Sequence, residues 1–222
     1  MVFIGVDPSG RPRPACFCAA LTAEGRVLRT WEAAANEAFV ASLAEFGEVK
    51  SVAVDGPLRL PQGHSPAQFF SLPSTAKPRR SSELELARMG IGCFFTVPRS
   101  FAKGWILRCL QLGELLRLAS YSVLEVYPYA TRRVLWGRRM GHKHQKATRL
   151  QELDLLRRMG LSWQPRSLPS DHEMDAVLCA LTGFLSWKGY AMALGNEADG
   201  QIIIPDPRVD WPTVLPALWK GR

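Results

Sequence analysis

Three aspartates in this 222-residue sequence, Asp7, Asp55 and Asp175, stand where their carboxylates could act together. Asp7 closes the apolar run at 2–6, and Asp55 closes the run at 51–54. Each is followed by turn residues, Pro8-Ser9-Gly10 and Gly56-Pro57. An Asp in such a place is first of all a turn residue, because its side chain hydrogen-bonds the backbone that follows. Asp175 is harder to read as scaffolding, since it opens a run that otherwise looks buried. If the two runs are neighbouring parallel strands, both carboxylates emerge at the carboxyl edge of the sheet, where ligands of such sheets bind. A helix start packed on that edge brings Asp175 to them. Hydrolysis of a phosphodiester by two metal ions needs this grouping, with carboxylates flanking ions about 3.5–4 Å apart. Mg²⁺ takes hard oxygen ligands and keeps several waters, so a few carboxylates suffice, and Mn²⁺ is the other cofactor expected.

The elements that must position these residues follow from the hydrophobic pattern. Residues 2–7, 14–21 and 26–31 read as strands, with Thr22-Ala-Glu-Gly25 as a hairpin connection. Residues 34–47 read as a helix, because Phe39, Leu43 and Phe46 recur at helical spacing. Residues 50–55 form a strand that can pair in parallel with the first through a right-handed crossover. Residues 56–81 are rich in Pro and Gly and irregular, and a loop of that length in a compact domain is usually functional or mobile. Helices are expected at 83–89, 101–119, 131–137, 145–159 and 171–187, and strands at 121–127 and 201–204. Asp171, at or near the N-cap, and Glu173 give the 171–187 helix an acidic start that suits its dipole. The result is a three-layer α/β plan: one domain over 1–222, with a loop and helical insertion at about 57–120. Its mixed sheet has five strands in the order 3-2-1-4-5 and helices on both faces, which is the order of the RNase H-like fold.

Gly5-Val6-Asp7-Pro8-Ser9-Gly10, Val52-Ala53-Val54-Asp55-Gly56-Pro57-Leu58, Glu125-Val126-Tyr127-Pro128 and Asp171-His172-Glu173-Met174-Asp175-Ala176 resemble a widespread family. It is known as domain-of-unknown-function family 429 and described as a predicted nuclease of RNase H-like fold. The resemblance extends over nearly the whole chain, including Arg80-Ser-Ser-Glu83 and Ile202-Ile-Ile-Pro205. The opening of the 171–187 helix also looks like the corresponding helix of Holliday-junction resolvases, which pair an acid or His with an Asp one turn later. The resemblance implies metal-ligand positions at Asp7, Asp55 and Asp175. It places Glu125 in the family's Glu-x-x-Pro motif as a catalytic residue, and it offers His172 or Asp171 as a fourth ligand or a proton-handling group. The first-helix acid of RNase H itself has no clear match here; Glu37 and Glu45 read as surface residues.

With 28 Lys and Arg against 20 Asp and Glu, the formal net charge is +8, a balance that favours polyanionic partners. Residues 126–151 contain no acid. They carry Arg132, Arg133, Arg138, Arg139, Lys143, Lys146 and Arg149, with Tyr129 and Trp136 interleaved. Such a run can neutralise phosphates and stack on bases, or it can be a solvated helix face. Lys77, Arg79 and Arg80 could join the same groove, although Arg80 could equally pair with Glu83. The partner expected is therefore DNA or RNA. The five cysteines show no disulfide spacing, and Cys16 and Cys18 fit core packing on a strand better than a zinc site. No signal peptide or membrane span is evident, which points to the cytoplasm. Three functions compete: a Mg²⁺- or Mn²⁺-dependent nuclease, a nucleic-acid-binding module of the same fold without turnover, and an actin-like or sugar-kinase-type ATPase. The last shares a Gly-Val-Asp-x-x-Gly loop but normally needs a second, duplicated domain.

Overall fold

The computed structural model describes residues 1–11, 13–73, 75, 76, 78–137 and 141–219. Its strands are β1 (Val2–Pro8), β2 (Cys16–Thr22), β3 (Val27–Ala33), β4 (Val49–Asp55), β5 (Val123–Val126), β6 (Ala191–Leu194) and β7 (Ile202–Pro205). Its helices are α1 (Asn36–Ser42), α2 (Pro66–Phe70), α3 (Ser81–Arg88), α4 (Lys103–Leu118), α5 (Pro128–Trp136), α6 (Lys146–Arg158), α7 (Asp171–Trp187) and α8 (Trp211–Leu218). The strands form one mixed sheet in the order β3-β2-β1-β4-β5-β7-β6. β1 runs antiparallel to β2 and parallel to β4, and β5 continues the parallel set.

The expected order 3-2-1-4-5 is present, but the sheet has seven strands, not five. The additional pair is β6 and β7, antiparallel from Ala191↔Pro205 to Leu194↔Ile202; β7 is the strand expected at 201–204, and β6 was not expected. β6 has four residues, AMAL, between Gly189 and Gly195. That is too short a run for two-residue alternation to show. Helix α8 was missed for a similar reason, since prolines at 212 and 216 interrupt its pattern. The expected helix at 34–47 is shorter, as α1 tightens into a 3₁₀ turn at Leu43–Glu45.

Helices cover both faces. On one face α7 lies across the sheet, with Phe3, Ala19 and Leu21 packed against Ala176, Val177, Ala180 and Phe184. On the other, Ile4, Val6, Cys18, Val52 and Val54 pack on Phe39, Leu43, Leu112 and Leu116 of the α1 and α4 region. Gly5 decides how close α7 comes to β1: a Cβ there would lie 1.9 Å from the Ala176 carbonyl oxygen. Any larger residue would push the helix, and Asp175 with it, off the sheet edge. No helix among the described residues is long and apolar enough to cross a membrane.

Candidate metal centre

Side chains alternate between the faces of a strand, and the strand register settles which candidates can meet. In β1, Phe3 and Gly5 face α7, so Asp7 does too. In β4, Ala53 packs with Cys179 of α7, which puts Asp55 on that same face. The parallel pairing runs Gly5↔Ala53, Val6↔Val54, so Asp7 and Asp55 are the next rung, side by side where the two strands end. Helix α7 begins over this rung. Ser170 is its N-cap and forms a capping box with Glu173, whose carboxylate also accepts a 2.7 Å bond from Thr30 on β3. The cap therefore falls one residue before Asp171, and the fixed helix start sets Asp175 one turn in.

The three carboxylates share a field without being equivalent. Burial, opposed by a hydrogen bond from His172 and helped by repulsion from Asp175, raises the pKa of Asp7. Asp55 keeps part of its surface on a cleft. Enclosure by protein, with Asp7 and Asp175 adding to it, pushes its carboxyl well above the ordinary value. Asp175 is fully buried, and burial pushes it up, yet Arg132 and Lys143 outweigh that and hold it low. Its Oδ1 accepts from Arg132 and its Oδ2 from Lys143 Nζ at 2.5 Å. The attraction of Asp175, followed by those of Asp7 and Asp55, raises Lys143 against its own burial cost. This ammonium is thus a counter-charge that all three aspartates share.

His172 is bound twice: Nδ1 lies 2.6 Å from Asp7 Oδ2, and the ring stacks on Phe17 with centroids 4.6 Å apart. The bond to Asp7 raises its pKa despite partial burial. Asp171 stands on the same helix turn, with its Oδ2 2.7 Å from Nδ1 of the exposed His144. A cleft of about 650 Å³ opens on Asp55 and Asp175 and is lined also by Arg132, Arg133, Lys143, Trp105, Tyr127 and Tyr129; Asp7, Asp171 and His172 are not part of its lining. Trp105 donates from Nε1 to the Pro8 carbonyl at 2.9 Å and closes the wall beside Asp7.

Other candidates lie elsewhere. Glu125 pairs with Val54, not Asp55, and so faces the opposite side of the sheet. There it accepts two bonds from Arg80, at 2.6 and 2.7 Å, and one from the Leu58 amide at 2.9 Å. The expectation that Glu125 joins the catalytic group is corrected by this geometry. Arg80, 1% exposed, is correspondingly withdrawn from any phosphate. Arg132 is buried as well, locked between Asp175 and Glu152. Arg79 is exposed and stacks on Phe95, with its guanidinium carbon 4.5 Å from the ring centroid. Arg133 lines the cleft, and Lys146 is exposed at the start of α6. Arg138 and Arg139 fall outside the described residues, as does Lys77.

Sequence reasoning missed Glu152, buried and bonded to Arg132 at 2.6 Å. The signal was present: Thr148, Glu152 and Leu156 recur every four residues on one stripe of α6, and a Glu on a core-facing stripe demands a partner.

Among the described residues, no set of three or more His, Cys, Asp and Glu side chains is drawn tightly enough to enclose an ion. The donor chemistry nonetheless fits a hard divalent cation at Asp7 and Asp55. Four carboxylates, Asp7, Asp55, Asp175 and Glu152, face two permanent cations, Arg132 and Lys143, with His172 able to add a third charge. The surplus sits on the two strand-end aspartates, and hard oxygens with uncompensated charge are what such an ion binds.

A family model described as "Protein of unknown function (DUF429)" matches residues 5–199. No curated protein matches the sequence. Among solved structures, RuvC from Thermus thermophilus is 20% identical with a TM-score of 0.45, covering 85% of this chain and 97% of that one. The same organism's RuvC in complex with Holliday junction substrate is 18% identical with a TM-score of 0.44, at the same coverages. Both likenesses are distant.

Proposed function

Since the chain belongs to the DUF429 family, whose description assigns no activity, we propose from its own residues that it is an RNase H-like, divalent-metal-dependent nuclease. The observation that carries this reading is the rung of Asp7 and Asp55: two carboxylates on adjacent parallel strand ends, on one face, each raised by burial and by the other acids. Asp7 and Asp55 would hold the ion, with Asp175 joining when Lys143 moves aside. When bound, such an ion neutralises a phosphodiester and acidifies a water at neutral pH.

The chain's own groups do the rest. His172 has Nδ1 committed to Asp7, so proton exchange falls to Nε2. The Phe17 stack and the capped start of α7 hold the ring in that orientation. Arg132, itself held by Glu152, and Lys143 keep Asp175 ionised and fixed. Lys143 and Arg133 present positive charge to a phosphate entering the cleft, and the net charge of +8 attracts the polyanion over longer range.

The test is cleavage of labelled DNA and RNA, single-stranded, duplex and branched, with Mg²⁺ or Mn²⁺. Wild type should cut at least one class, and Asp7→Asn should stop cutting while still binding. Equal cleavage by both proteins would reject the proposal. The ion pairs that occupy both oxygens of Asp175 favour one second reading, a binding module without turnover; that module would bind these substrates and cut none with either metal.

A further inference from the structure

We propose that Phe94 and Phe101 form a base-stacking edge beside the carboxylate cleft. The nucleic acid this protein takes then carries unstacked, single-stranded bases next to the phosphate in the cleft. The inference rests on reading the cleft as a nuclease site and names its substrate class.

Phe94, 79% exposed, is the most exposed large apolar side chain lining the cleft, and Phe101, which touches it from outside the lining, is 88% exposed. Leaving two phenyl rings in water gives up the stabilisation that burying them would bring. Their described ring contact is with each other, edge to face, with centroids 5.8 Å apart. Neighbouring rings are covered instead. Arg79 lies over Phe95 and Lys103 over Phe70, at 4.5 and 4.8 Å from the centroids. Phe94 is itself part of the cleft lining with Asp55, Trp105, Tyr127 and Tyr129, so the edge adjoins the acids directly.

Charge selects the occupant. From 86 to 113 the sequence holds no acid but carries Arg88, Arg99, Lys103 and Arg108; 126–151 is likewise free of acids. Both stretches wall the same cleft, one through Phe94 and Trp105, the other through Tyr127, Tyr129, Arg133, Lys143 and Thr148. Phe94 shares its cleft with Arg133 and Lys143 as well as with Asp55 and Asp175, and a bare ring beside those groups suits a chain that is anionic along its backbone and aromatic at its side groups. In a continuous duplex the bases are already stacked on one another and offer no face; an unpaired base does.

The experiment is anisotropy titration of wild type in EDTA with a labelled single-stranded oligonucleotide and with a blunt duplex of equal length. It is repeated with Phe94→Ala/Phe101→Ala and Phe94→Tyr/Phe101→Tyr. Stacking energies of the usual size predict roughly a tenfold or greater loss of single-strand affinity in the alanine pair. Duplex affinity should change by less than about twofold, and the tyrosine pair should bind like wild type. Equal losses on both ligands, or no loss, overturn the proposal. So does a wild-type dimer that dissociates on alanine substitution, since the rings would then be a contact between copies. Selective single-strand binding without cleavage would remove the nuclease and keep the edge. Cleavage without this selectivity would do the reverse.

Discussion

Two buried clusters of charge flank strand β5, and they are built on different principles. On the α4 face, Glu125 and Arg80 satisfy one another. Glu125 accepts two guanidinium bonds and a backbone amide, Arg80 Nε reaches the Asp199 carbonyl at 2.9 Å, and Glu83 is taken up by Thr96. On the α7 face, the site cluster does not close. Asp175 is saturated, but no described residue hydrogen-bonds the Asp55 carboxylate, and acids outnumber permanent cations. A saturated cluster holds loops to a sheet. An unsaturated one, open to a cleft, retains affinity for something the chain does not contain.

This contrast can be broken from either side. The largest effect should come from the saturated cluster. Arg80→Ala strands Glu125 in the core and should cost about 3–5 kcal/mol, a fall in Tm of roughly 6–20 °C in a scanning melt. Arg80→Met with Glu125→Leu should recover most of that, because a scaffold pair can be exchanged for apolar packing. Failure of the double variant to recover would mean the pair does more than hold the fold. Next is Asp7→Asn, which should reduce cleavage by on the order of 10³, since it removes several kcal/mol of charge stabilisation, without lowering Tm. A large drop in Tm instead would make Asp7 a scaffold residue.

The smallest effect sharpens the comparison through pH. The folded protein holds a proton on Asp55 to higher pH than the unfolded chain does. Stability should therefore fall as pH rises from about 4 through the raised folded value. Asp175 works in the opposite sense, with its contribution lost as pH falls below the ordinary carboxylate range. Asp55→Asn should raise Tm at pH 7 and flatten the decline on the alkaline side, which a series of melts from pH 4 to 8 measures. An unchanged profile would mean that Asp55 carries no excess charge.

Much of this arrangement was legible in the residues. The apolar runs ending in Asp7 and Asp55 specified two strands and their carboxyl ends, and Asp175 within an apolar helix specified the third arm. Two-residue alternation, applied once the register Val54↔Glu125 is known, excludes Glu125, but register is a property of the pairing and not of either strand alone. Arg132 reads as a phosphate binder because a basic run looks the same whether its side chains point to solvent or inward to acids. Glu152 had a readable signal in its stripe; β6, four residues long, had none.

The central claim is that Asp7 and Asp55 together retain affinity for a hard divalent cation. Isothermal titration of the purified protein with Mn²⁺ tests it directly. The account predicts a saturable site in wild type that is lost in both Asp7→Asn and Asp55→Asn while each variant stays folded. Absence of binding in wild type, or binding that survives both substitutions, would contradict it.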